Sequence, residues 1–168
     1  VRAFDSKGKD ISEKISIKSL AKAEGKERFL VTYIVFDEKG ISSEYTVDAV
    51  IEGYHSPRVD LKFPLLYSLD GSGYIVDALK ITDVFDGDIS YKAKIITTDM
   101  DHDAPGIYTL LIQVKNSVGD IVTLPLKSIV RHQSGSGYVM TLTNNIVYVK
   151  RGDIVDPESY VKDFHRYD

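Results

Sequence analysis

Six aspartates in the middle of the chain are the side chains best suited to metal chemistry. They are Asp83, Asp86, Asp88, Asp99, Asp101 and Asp103. Calcium is a hard cation that binds about six to eight oxygen atoms, many of them from carboxylates. The run from Asp99 begins like an EF-hand loop, but Ala104 and Leu110 stand where that loop requires glycine and glutamate. The sequence therefore excludes an EF-hand and leaves a calcium site of another kind, or aspartates that form turns through local hydrogen bonds, which we favour.

A second candidate site is the tripeptide Arg151-Gly152-Asp153, which matches the adhesion motif of integrin-like receptors. Glycine is also the residue that turns use where φ is positive. Gly152 lies in a segment that repeats an earlier one, and the residues on either side of this glycine differ between the two copies. The sequence therefore favours a turn over a receptor-binding site.

Tyrosine is abundant, with 11 residues, whereas tryptophan is absent. Tyrosines on the surface are common in protein- and carbohydrate-binding faces, but tyrosine is also a favoured strand residue that half-buries its ring. Tyr67 and Tyr74 are the candidate binding residues, because Ile146 and Asp153 occupy the same positions in another copy of the repeat. No nucleophile elbow, zinc-ligand spacing or glycine-rich phosphate loop is present, so we expect no enzymatic activity and no cofactor other than calcium.

Composition limits the class of protein to a globular chain. The 168 residues are 43% hydrophobic and 27% charged, with a formal net charge of −4. This charge argues against a nucleic-acid partner, which normally requires a basic patch. No apolar run approaches the roughly 20 residues that cross a bilayer, so we expect no membrane insertion. The absence of cysteine fits both cytosolic proteins and bacterial exported proteins.

The elements that position these residues form an internal repeat. Three pairs of anchors agree on a period of 78 or 79 residues, in segments rich in β-branched and aromatic residues. The pairs are Gly40 with Gly119, Asp10–Ser12 with Asp88–Ser90, and Gly73–Asp77 with Gly152–Asp156. Apolar residues alternate along 29–35 and along 108–114, a pattern typical of half-buried strands. Short strands separated by Gly, Asp and Asn predict an all-β sandwich.

The segments DVFDGDIS (residues 83–90) and DAPGIYTLLIQVKNSVGD (residues 103–120) resemble the bacterial immunoglobulin-like repeats that occur in tandem in cell-surface and secreted proteins. The Pro105-Gly106-Ile107-Tyr108 strand entry and the turn 116–120 carry much of this resemblance. The first copy departs from the pattern, since it lacks Pro-Gly before Phe29. The resemblance implies tandem immunoglobulin-like β-sandwich domains of the Greek-key type, with about 79 residues per repeat.

The phase of the repeat predicts three segments. Residues 1–52 form an N-terminally truncated repeat, residues 53–132 form the complete repeat, and residues 133–168 form a linker and the opening segment of a third repeat. A domain that lacks its first strand exposes sheet edges and core. One hypothesis is therefore that the last segment completes a first copy by strand exchange.

The resemblance implies a non-catalytic role outside the cell, on the bacterial surface or in a secreted protein. In the leading interpretation the repeats are a structural stalk or spacer, for example in an adhesin, and their partners are the neighbouring domains of the same polypeptide. The alternative is a module that binds a carbohydrate or a host surface protein, with or without calcium. An exposed aromatic or apolar patch that occurs in one repeat and is missing from its neighbour would favour the binding module.

Overall fold

The computed structural model describes residues 1–69, 75–131 and 137–167, and its regular structure is almost entirely β. The exceptions are one helical turn, α1 (Ile75–Ala78), and three short 3-10 turns. Contacts divide the chain into two compact units. The first consists of Val1–Ser56 and the turn Asn116–Asp120, and the second contains the other described residues from Pro57 onward. Within the described residues, no helix is long and apolar enough to span a bilayer.

The first unit is built on an antiparallel sheet of three strands. They are β1 (Ser16–Lys22), β2 (Arg28–Phe36) and β3 (Ser42–Val50), in the order β1-β2-β3. Phe29 is completely buried and meets the ring of Tyr54 edge-on, with the ring centroids 4.8 Å apart. Val118 packs into the same cluster, and its carbonyl accepts a hydrogen bond from the Lys22 amide at 2.7 Å. The core of this unit is therefore small.

The second unit contains two sheets that share one core, and a separate hairpin. Its strands are β4 (Arg58–Leu61), β5 (Leu66–Ser68), β6 (Leu79–Asp83), β7 (Gly87–Asp88), β8 (Lys94–Thr98), β9 (Gly106–Lys115), β10 (Ile121–Arg131), β11 (Gly137–Leu142) and β12 (Val161–Tyr167). One sheet has the order β4-β6-β7 and the other β5-β10-β9-β8, while β11 pairs with β12. All neighbours are antiparallel except β5, which runs parallel to β10.

Alternating residues from both sheets fill the core of the second unit. Val59 and Ile81 project from β4 and β6, and Leu110, Ile112 and Val114 project from β9. All five are essentially inaccessible to solvent. This arrangement is compatible with a β-sandwich, and it confirms the all-β fold that the alternation of residues predicts.

Equivalent elements of the two units recur with the predicted spacing. The β2–β3 hairpin closes with the pair Phe36–Ser42, and the β9–β10 hairpin closes with Lys115–Ile121, each partner 79 positions later. The bulges in β1 and β8 fall between Ile17 and Ser19 and between Ile95 and Thr97, which are 78 positions apart. The assignment to tandem immunoglobulin-like domains stays a prediction, as do boundaries at residues 52 and 132.

Candidate functional site

A groove on the outer face of the β4-β6-β7 sheet is the candidate binding site of the second unit. It has a volume of about 420 Å³ and is named the β4–β6 groove after the strands that form its floor. It is lined by Arg58, Val59, Asp60, Lys80, Thr82, Asn144, Ile146, Val147, Tyr148 and Tyr160. This volume lies in the range of ligand-binding clefts, about 300–1,000 Å³.

Register explains why the floor of the groove is polar. Arg58 pairs with Thr82 and Asp60 pairs with Lys80 across the antiparallel β4–β6 ladder. Side chains alternate between the two faces of a sheet, so these four residues lie on the face opposite Val59, which is buried in the core. The floor therefore presents two cations, one carboxylate and one hydroxyl to a ligand.

The wall of the groove is a segment that is fixed to the free edge of β4. The Tyr148 hydroxyl accepts a hydrogen bond from the Val59 amide at 2.8 Å and donates one to the Val59 carbonyl at 3.0 Å. The Asn145 side-chain amide donates to the Leu61 carbonyl at 2.8 Å. Edge strands carry unpaired backbone groups that need partners. Tyr148 and Asn145 supply those partners, and we call this pair of side chains the edge clamp.

Aromatic rings complete the groove. The guanidinium carbon of Arg58 lies 5.9 Å from the centroid of the Tyr148 ring, within the range of a cation–π contact. Tyr148 remains 55% exposed although its hydroxyl is bonded, so its ring is accessible. A flat ring beside hydrogen-bonding side chains can pack against the apolar face of a sugar while the polar groups bind its hydroxyls.

The aspartates at 83, 86 and 88 accept hydrogen bonds within their own turn. Asp83 Oδ1 accepts from the amides of Phe85 and Asp86, at 2.9 and 3.0 Å. Asp86 forms an ion pair with Lys92, with 2.8 Å between Oδ2 and Nζ, and this bond raises the pKa of Lys92. Asp88 Oδ1 accepts from the Ser90 hydroxyl at 2.6 Å and from its amide at 2.9 Å, which lowers the pKa of Asp88.

The other three predicted aspartates lie in and beside the loop that leads to β9. Asp99 Oδ1 accepts from the Thr109 amide, and Asp101 Oδ1 accepts from the Asp103 amide at 2.9 Å. Within residues 1–69, 75–131 and 137–167, no three His, Asp or Glu side chains are grouped so that they could hold a metal ion. Calcium binding stays a prediction.

The tripeptide Arg151-Gly152-Asp153 lies in a tight, exposed turn. Gly152 has φ = +96°, a conformation that residues with a Cβ rarely adopt. Asp153 Oδ2 accepts from the Lys150 amide at 3.0 Å, and the Asp153 amide donates to the Lys150 carbonyl at 3.1 Å. The carboxylate is therefore engaged in the turn, and receptor binding stays a prediction.

The structure separates the two tyrosines that the repeat comparison selects. Tyr67 is only 8% exposed and packs in the core of the second unit, where burial raises the pKa of its hydroxyl. Its ring is therefore not part of an exposed face. Tyr74 lies outside the described residues.

The groove could not be predicted from the sequence, because its parts come from distant segments. Tyr148 meets Val59 across 89 positions, and no local motif marks either residue. The one available signal was the difference between copies: Arg58 and Asp60 correspond to Gly137 and Val139 one repeat later. A comparison of outward-facing positions along β4 would have found it.

Comparison with known proteins finds only low structural similarity. No protein-family model matches the chain, and no curated protein matches it in sequence. A structure of the CBM51-2 domain with GlcNAc and INT domains from Clostridium perfringens ZmpB is similar at a TM-score of 0.40 and 21% identity, over 50% of this chain and 21% of that one. A structure of the ZmpB M60 catalytic domain with CBM51-1 and CBM51-2 is similar at a TM-score of 0.39 and 14% identity, over 88% of this chain and 30% of that one. This chain thus spans less than a third of either structure, and likeness at this level identifies no ligand.

Proposed function

We propose that this chain is a non-catalytic module of a bacterial extracellular protein, built of tandem immunoglobulin-like β-sandwich repeats, and that it binds a glycan in the β4–β6 groove. The observation that carries the proposal is the juxtaposition of the Tyr148 ring with the polar floor formed by Arg58, Asp60 and Lys80. The polarity of the floor is specific to one repeat, because Gly137 and Val139 replace Arg58 and Asp60 in the following copy. Exposed residues that differ between two copies of one fold are not required by that fold, which favours binding over a purely structural role.

Charge and hydrogen bonding define the ligand class. The floor combines donors on Arg58 and Lys80 with acceptors on Asp60 and Thr82, which suits a polyhydroxylated ligand better than an apolar one. Because the groove is an open surface cleft, it fits one or two sugar rings of an exposed chain. Affinity in such a site comes from many weak polar contacts and ring stacking, so we expect dissociation constants in the micromolar to millimolar range, about 4–8 kcal/mol of binding free energy.

The test is binding of the purified chain to an array of polysaccharides and host matrix proteins. The variants Arg58→Ala and Lys80→Ala should reduce glycan binding at least tenfold. The matched control is Lys94→Ala, which removes an exposed cation from β8, outside the groove. Equal glycan binding by the unaltered chain and all three variants would exclude the groove as the site.

Two further arms of the same array separate the other candidate sites. Loss of binding in a calcium chelator would support a calcium-dependent module. Loss in Asp153→Glu, with binding retained in Arg58→Ala, would move the site to the turn around Gly152.

The second candidate function is a structural spacer. It is favoured by the matching registers of the β2–β3 and β9–β10 hairpins, which recur 79 positions apart. The edge clamp fixes the segment after β11 to the complete repeat, as a stiff junction requires. In chains that carry extra copies of residues 53–132, small-angle X-ray scattering should then show a constant increase in maximum dimension per copy. An increase that falls off with copy number would indicate flexible junctions and count against a spacer.

A further inference from the structure

The floor of the β4–β6 groove carries two exposed cations, Arg58 and Lys80. In the part of the chain that the structure describes, neither of them forms an ion pair. Asp60 stands directly opposite Lys80 in the β4–β6 register, but its Oδ1 accepts a hydrogen bond from the Leu61 amide at 2.8 Å. Arg58 packs against the Tyr148 ring instead of a carboxylate. Both positive charges are therefore available to a ligand.

The first unit shows that a sheet of this protein can neutralise its exposed cations. Arg28 of β2 forms an ion pair with Asp48 of β3 at 2.9 Å, and Lys18 of β1 pairs with Glu44 of β3. In both pairs the carboxylate comes from a neighbouring strand. The lack of such pairs in the groove is thus a property of this site and not of the fold.

The charge of the groove is opposite in sign to that of the whole chain. Its lining residues include two cations and one carboxylate, a formal charge of +1, whereas the chain carries −4. Asp88, on the next strand β7, attracts Lys80 at longer range, but it does not line the groove and its carboxylate accepts two hydrogen bonds from Ser90. A concave site of one charge sign attracts ligands of the opposite sign.

Register places the two cations where one carboxylate can meet both. Arg58 pairs with Thr82, two residues after Lys80, so Arg58 and Lys80 are diagonal neighbours about 7–8 Å apart on one face of the sheet. Both side chains are long. The planar guanidinium of arginine matches the two oxygens of a carboxylate, and the lysine ammonium adds a second charge.

We propose that the glycan of the β4–β6 groove is acidic, and that Arg58 and Lys80 bind the carboxylate of a uronic or sialic acid while Tyr148 packs against the sugar ring. This inference rests on the proposed function, since it assigns the charge of the ligand at the same site. The formal charge of +1 favours a ligand with one carboxylate over a densely charged chain, because Asp60 repels a second anionic group.

The test is isothermal titration calorimetry of the full chain with two matched pairs of oligosaccharides. The first pair is aldotriouronic acid, which carries one glucuronate on xylobiose, and its methyl ester. The second is sialyllactose and its methyl ester. Within each pair the sugars and hydroxyls are the same and the charge differs. At least one acid should bind about tenfold more tightly than its ester, the equivalent of about 1.4 kcal/mol, and this preference should shrink at high salt. The pair that shows the preference distinguishes a uronic from a sialic acid.

Charge-neutral variants assign the preference to the groove. The double variant Arg58→Gln/Lys80→Gln should bind acid and ester equally. The matched control is Lys94→Gln, which removes an exposed cation of β8 and should keep the preference. Asp60→Asn removes the carboxylate of the groove, so it should bind the acid several-fold more tightly than the unaltered chain. A gain of affinity cannot come from a variant that fails to fold.

The outcomes separate this inference from the proposed function. If neither acid binds more tightly than its ester, while a neutral glycan of the array binds and depends on Arg58 and Lys80, the inference is wrong and the proposed function stands. A preference that survives in the double variant, or that is lost in Lys94→Gln, would also overturn the inference, because charges outside the groove would then be responsible. If no oligosaccharide and no glycan of the array binds, both fail.

Discussion

The edge clamp makes a quantitative prediction for Tyr148→Phe. The substitution keeps the ring and removes the hydroxyl, and with it both hydrogen bonds to the Val59 peptide. Each such bond contributes about 0.5–1.5 kcal/mol net to stability. The ring is 55% exposed, so water can replace part of the loss. We therefore expect the local opening free energy at Val59 to fall by about 1–2 kcal/mol.

The exchange rate of the Val59 backbone amide, measured by NMR, reports this change in local opening free energy. The Val59 amide donates directly to the Tyr148 hydroxyl, so its exchange should accelerate by a factor of about 5–30, the equivalent of 1–2 kcal/mol. The amides of β9, which lies in the other sheet of the second unit, should change much less. Tyr91→Phe is the matched control, because Tyr91 is 76% exposed in the same unit and its substitution leaves the clamp intact.

Unchanged exchange at Val59 in Tyr148→Phe would refute the clamp. It would mean that the edge of β4 is protected by other groups and that the wall of the groove is not held by this side chain. If exchange of the Val59 amide accelerates equally in Tyr91→Phe, the effect comes from a general loss of stability and not from the clamp.

Three further predictions test other parts of the fold. Ser90→Ala should raise the pKa of Asp88 toward its ordinary value in an NMR titration. In the unaltered chain, the lowered pKa of Asp88 stabilises the fold at pH values above the pKa of the unfolded state, and this stabilisation is lost as pH falls through the pKa of the folded state. Lys92→Met removes the bond to Asp86, which raises the pKa of Lys92. Thermal melts should show the variant less stable than the unaltered chain at neutral pH, and this difference should disappear as pH rises through the folded pKa of Lys92. Phe29→Ala should destabilise the first unit by about 3–5 kcal/mol in calorimetry, since it empties the centre of a small core.

The sequence was sufficient to predict the fold class because local signals and burial agree. Alternating residues in 29–35 and 108–114 formed strands, and Gly40 and Gly119 took the positive φ that their hairpin turns require. The spacing of 79 residues also anticipated the matching hairpin registers. Strand alternation and turn chemistry are properties of neighbouring residues, so a single sequence carries them.

The candidate site was much harder to predict, because it depends on long-range contacts. Tyr67 is a strand tyrosine like many others, and only the packing of two sheets shows that it is buried. Asp83 and Asp88 bind amides and a hydroxyl two or three residues ahead, which composition cannot distinguish from metal ligation. The edge clamp joins residues 84 and 89 positions apart, a separation at which no sequence pattern acts.

The most direct test of the proposed function is NMR chemical-shift mapping with the strongest glycan from the array. We expect saturable shifts confined to the amides of Arg58–Leu61, Lys80–Thr82 and residues 144–148, and we expect these shifts to be lost in Arg58→Ala. Saturable shifts centred on residues 150–153, or on the β8–β9 loop, would contradict the groove as the binding site. The absence of shifts from a folded protein with every glycan of the array would contradict glycan binding itself.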